Sequence, residues 1–92
     1  MLTSQDVAAV TFPTVRWSVG YEIDEVTEFL GAVRETLSAY EERRPLPEPL
    51  TSRQVHTRAF FPTKFREGLG KSEVDRFMNE LVVTLREHEG AL

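Results

Sequence analysis

Cysteine is absent from the 92 residues, and histidine occurs only twice, as His56 and His88. Without cysteine there can be no disulfide framework and no thiolate metal site, which fits a reducing cytoplasm. Neither histidine has a second one at ligand spacing, so no metal and no cofactor is expected. Apolar runs long enough to cross a bilayer are missing as well. No basic segment followed by an apolar stretch opens the chain, so a signal peptide is not expected either. Positive charge is in the minority, with 11 Lys and Arg against 15 Asp and Glu. A net charge of -4 speaks against nucleic acid as a partner, because neutralising phosphates needs a basic surface. A chain of this length makes at most one ordinary domain with a thin core.

What the sequence does have is itself, twice. Leu2-Thr3-Ser4-Gln5-Asp6-Val7 returns as Leu50-Thr51-Ser52-Arg53-Gln54-Val55, and the register continues without a gap. Phe12 falls on Phe60, Gly20 on Gly68, Glu25-Val26 on Glu73-Val74, Phe29 on Phe77, Thr36-Leu37 on Thr84-Leu85 and Glu41 on Glu89, giving 12 identities over 40 aligned positions. Unrelated segments of ordinary composition would share about 2 or 3. A period of this size marks two copies of one supersecondary unit. The organisation read from it is a first repeat over 2–41, a proline-rich linker over 42–49 and a second repeat over 50–89, together one small domain.

Each copy opens with a helix start. Thr51 and Gln54 form a capping box, with Leu50 and Val55 placed as a hydrophobic staple. Thr3, Asp6, Leu2 and Val7 repeat it. These helices should be short, ending near Val10 and Arg58. A loop follows in which aromatic residues alternate with cations, Arg16-Trp17 in one copy and Lys64-Phe65-Arg66 in the other. Ordinary connecting loops are short and polar, so these are built to touch something. The glycine common to both loops, Gly20 or Gly68, is expected to supply a backbone conformation closed to other residues.

A longer helix comes next. Val26, Leu30, Val33, Leu37 and Tyr40 are spaced 4, 3, 4, 3, and Val74, Met78, Leu81, Leu85 and His88 repeat the spacing. This is an a/d seam of about two heptads. The first of these helices runs out at Glu41-Glu42-Arg43-Arg44, and Pro45-Leu46-Pro47-Glu48-Pro49 stiffens the linker. The expected fold class is therefore all-α: two short-helix, loop, long-helix units, with the long helices packed as a short coiled coil or bundle. Parallel pairing inside one chain requires the linker and the second short helix to carry the chain back. Antiparallel pairing, or parallel pairing between two chains, needs less reach, so a homodimer is favoured over an intramolecular pseudo-dimer and the direction of the helices is left open.

Chemistry-bearing constellations are missing. Asp24-Glu25, Glu41-Glu42 and Glu87-Glu89 fall on solvated helix faces, Thr3-Ser4 and Thr51-Ser52 are caps with no base beside them, and no glycine loop is built to cradle phosphate. The chain is not expected to be an enzyme.

The pattern of a short helix opened by Leu2-Thr3 or Leu50-Thr51, the loops Phe12-Pro13-Thr14-Val15-Arg16-Trp17 and Phe61-Pro62-Thr63-Lys64-Phe65-Arg66-Glu67-Gly68, the turn Gly20-Tyr21-Glu22, and the helices Glu25-Val26-Thr27-Glu28-Phe29-Leu30 and Glu73-Val74-Asp75-Arg76-Phe77-Met78 resembles the N-terminal domain of the DivIVA family. The tandem copies resemble its repeat-containing actinobacterial branch. The resemblance implies a scaffold of bacterial cell division or polar envelope growth. It also implies a parallel dimer whose crossed loops present a hydrophobic residue beside a basic one to the membrane. Arg16, Trp17, Lys64, Phe65 and Arg66 hold the corresponding places. Two departures stand out: the second copy has Leu69-Gly70 for the tyrosine and the acidic cap, and the first has Thr27 where the second has Asp75. The implied partners are the chain itself, as a homodimer or an intramolecular pseudo-dimer, an anionic membrane surface and a division or growth protein, at the inner face of the cell membrane. The alternative is a soluble adaptor or regulator that keeps the scaffold and binds a protein through the loops.

Overall fold

Both long helices begin where a strand ends. The computed structural model describes residues 1–90. In chain order the elements are α1 (Ser4–Ala9), β1 (Thr14–Val15), β2 (Gly20–Tyr21), α2 (Ile23–Glu42), α3 (Ser52–Thr57), β3 (Pro62–Thr63), β4 (Gly68–Gly70) and α4 (Lys71–Gly90). The short helices carry the capping boxes the sequence indicates, Thr3 with Asp6 and Thr51 with Gln54. α2 ends on Arg43 in the left-handed conformation, whose N–H returns to the last turn.

The fold class is α+β, which corrects the all-α expectation. Both loops become strands of one four-stranded sheet of order β1-β4-β2-β3. Every pairing in it is antiparallel and joins one copy to the other: Thr14 with Leu69, Tyr21 with Leu69, Tyr21 with Pro62. Backbone amides and carbonyls in a packed region need partners, and here each copy supplies the other's. The sheet is unchanged when the copies are exchanged, so a pseudo-two-fold axis passes through the Tyr21–Leu69 pair. Two loop bonds obey it as well, Glu22 N–H to the Phe61 carbonyl at 3.0 Å and Gly70 N–H to the Pro13 carbonyl at 2.8 Å.

Since β2 and β4 are neighbours, α2 and α4 start side by side. At their far ends Tyr40 and His88 stack with ring centroids 4.6 Å apart. The long helices are therefore parallel within one chain. α3 and the extended stretch 58–63 make the return journey. About 9 Å of helix and about 20 Å of extended chain match the roughly 30 Å of a 20-residue helix.

The identities between copies are the contacts this symmetry makes twice. Leu2 N–H donates to Thr84 Oγ1 and Leu50 N–H to Thr36 Oγ1, both at 3.0 Å. Ser4 and Ser52 each hold a carboxylate at the end of their own long helix, Glu41 and Glu89. Phe12 meets Phe77 edge-on, and Phe60 meets Phe29 in the same way, both at 5.7 Å. Along the seam Val26, Val33, Leu37, Val74, Leu81 and Leu85 are sealed from solvent, Leu30 and Met78 nearly so, and Tyr40 and His88 are half-buried.

Gly20 and Gly68 are needed for a reason other than the expected one. Neither has a positive φ. A Cβ on Gly20 would lie 2.7 Å from the Leu69 carbonyl oxygen, and one on Gly68 would overlap the Thr63 hydroxyl. The glycines let two strands and the Thr63 side chain crowd together. Thr63 itself is buried, and its Oγ1 is the one buried side-chain polar atom among the described residues without a partner. The first copy has Val15 at the equivalent place. Thr63→Val should therefore raise unfolding stability by about 1 kcal/mol in urea denaturation, by removing an unsatisfied hydroxyl.

Candidate functional site

Four of the six exposed large hydrophobic residues among those described lie in the two loops at the sheet end, the others being Met1 and Val83. Trp17 is 74% exposed and Phe65 66%, with Val19 and Phe61 also open. Trp17 and Phe65 come from different copies, yet their ring centroids lie only 6.3 Å apart. Strand exchange brings this about, because each loop tip hangs beyond a strand paired with the other copy. Phe65 sits at φ 63, one of two non-glycine residues in the left-handed region among those described. A bulky residue there is strained by about 1–2 kcal/mol, where glycine or asparagine would not be. The turn alone does not call for an aromatic ring.

Cations flank the pair. Lys64 Nζ lies 5.3 Å from the Phe65 ring centroid, and Arg16 and Lys64 are exposed without a carboxylate partner among the described residues. Arg66 differs: its guanidinium meets Glu22 Oε2 at 2.8 Å and ties the second loop to the start of α2. Of the five loop residues singled out in the sequence, the structure thus brings Trp17 and Phe65 together, leaves Arg16 and Lys64 open beside them, and pairs Arg66 with Glu22 at the surface.

Behind the tip lies a polar contact that sequence reading passed over. Tyr21 Oη donates to Asp75 Oδ1 at 2.6 Å, and Lys71 Nζ approaches the same carboxylate at 3.4 Å. By the pseudo-symmetry the matching pair would join residues 69 and 27, which are Leu69 and Thr27. The two departures between copies are therefore one event: both partners of a single cross-copy hydrogen bond are missing together. Ser72 lies inside the first turn of α4, which begins at Lys71.

Tyr21 is held neutral beyond the usual phenol range, first because packing strips it of water and second because its hydroxyl donates to Asp75. The unfolded chain ionises tyrosine at its ordinary value. The contribution to stability is thus whole below that value and is lost as pH rises through the higher, folded one. The tyrosinate absorbance difference between the parent and Tyr21→Phe should titrate with its midpoint above that of free tyrosine.

No His, Cys, Asp or Glu grouping able to hold a metal occurs among the described residues, and no helix among them is long and apolar enough to cross a membrane. Compared with known proteins, the chain matches no family model, no curated protein and no solved structure.

Proposed function

We propose that this protein is a non-enzymatic, DivIVA-like structural module of bacterial division or polar growth that attaches to anionic membrane surfaces by its paired loop tips. The observation that carries the reading is the contact of Trp17 with Phe65, two aromatic rings exposed side by side with Arg16 and Lys64 open beside them. A monomeric soluble fold gains nothing by keeping a strained, exposed ring at a turn.

The expected affinity is modest. Two cations near an anionic surface contribute about 2 kcal/mol, and partial insertion of two rings about 3 kcal/mol more. A sum of roughly 5 kcal/mol corresponds to binding in the range of 10⁴ M⁻¹, reversible and weakened by salt. Both tips sit on one interlaced sheet, so they engage together without a further ordering cost. Sedimentation with vesicles of mixed zwitterionic and anionic lipid tests this directly. Binding at low salt that fades as salt rises, and that is missing on purely zwitterionic vesicles, is the expected outcome. No sedimentation on anionic vesicles at low salt would refute the membrane reading.

A further inference from the structure

The pseudo-two-fold axis relates two clefts, each between a short helix and the long helix of its own copy, and the two are not alike. In the second copy's cleft Tyr21, reaching over from the first copy to bond Asp75, lines the space together with His56 and Asn79, and the space is about 300 Å³. At the equivalent places the first copy's cleft has its own Thr27, Ala8 and Gly31 and, reaching over from the second copy, Leu69, and it opens to about 470 Å³. All four exchanges go towards the smaller or less polar residue. Gly31 is the most telling of them. It lies in the middle of α2, where glycine is the worst residue short of proline, and a Cβ added there would touch nothing. Nothing within the chain asks for its missing side chain.

Only one charge lines this cleft. Arg34 takes the place that Val82 buries in the second copy; it is exposed and without a carboxylate partner among the described residues. Its neighbour Glu35 is already paired with Arg44 at 3.1 Å. The floor is apolar and the lip is small enough for a backbone to come close. From Thr27 to Arg34 the cleft runs about 10 Å along α2, or two helical turns.

We infer that this cleft is a docking groove for an amphipathic helical segment of a partner protein, with apolar anchors over Thr27 and Gly31 and a carboxylate one turn further on against Arg34. The charge pattern selects an acidic segment. The smaller, more polar cleft of the second copy makes the particle one-sided, so it takes one partner and not two. This inference does not depend on lipid binding by the loop tips.

The test uses the whole protein, labelled with ¹⁵N, and two synthetic helical peptides of about fifteen residues. One carries two leucines four residues apart and a glutamate one turn beyond, and the other has lysine for that glutamate. The glutamate peptide should give saturable one-to-one amide shifts centred on Ala8, Thr27, Gly31 and Leu69, and bind at least tenfold tighter than the lysine peptide. Arg34→Glu should reverse that preference. Gly31→Asn and Ala8→His, which install the second copy's residues, should abolish the shifts. Gly31→Ala is the control for folding: it should melt no lower than the parent while binding more weakly. Shifts that map to the cleft of His56 and Asn79 or to the Trp17–Phe65 tip, equal affinity for both peptides, or no shifts up to millimolar peptide would overturn the inference.

Discussion

A Trp17→Ala, Phe65→Ala double variant stays in the supernatant when anionic vesicles are pelleted, while its helical circular dichroism matches the parent. The two rings carry about 3 kcal/mol of the roughly 5 kcal/mol expected for attachment, so their loss lowers affinity about a hundredfold. Neither ring supports the core: both are more than half exposed, and their packing is on each other. The single variant Phe65→Gly separates function from stability most cleanly. It removes the ring and also relieves the left-handed strain at φ 63, so it should melt higher than the parent and bind vesicles less. A drop in vesicle binding together with a lower melting temperature would instead mean that Phe65 is structural.

The second large effect concerns the interlaced sheet. Gly68→Ala forces a Cβ against the Thr63 side chain and to 3.0 Å from the Tyr21 carbonyl oxygen, inside a sheet made by both copies. Overpacking of this kind lowers stability by about 3 kcal/mol, a large share of the total for a domain of this size. The thermal midpoint should fall by about 15 °C, given about 4–8 °C per kcal/mol in small domains. Adding Thr63→Ala should recover part of the loss, because one of the clashing groups is then gone. If Gly68→Ala melted with the parent, the close approach of the strands would be refuted.

The helical half of this molecule was legible in the sequence because its signals are local. Capping boxes at Thr3 and Thr51 fix where helices start, and the 4, 3, 4, 3 spacing from Val26 to Tyr40 fixes which face is buried. The sheet was not legible. Strands of two or three residues are too short for an alternating pattern, and their pairing joins segments about fifty residues apart through backbone groups that leave no side-chain trace. What trace there was lay in the glycines. Gly20 and Gly68 read as conformational freedom but mark close strand contact. The Tyr21–Asp75 bond had a readable signature too, the matched loss of both partners at Leu69 and Thr27, which makes sense only once the copies are known to exchange strands. Of the loop site, the aromatic and basic residues were identifiable one copy at a time. Their meeting across the copies follows from the exchange and from nothing in either loop alone.

In the structure one chain contains both halves of a symmetric pair, seals its seam and brings Trp17 to Phe65 without a second molecule. Mass in solution by light scattering tests this most directly. The predicted result is a single species of 10.5 kDa at micromolar concentration. A species of twice that mass, persisting on dilution, would contradict it, because the strands would then be exchanged between chains and not within one.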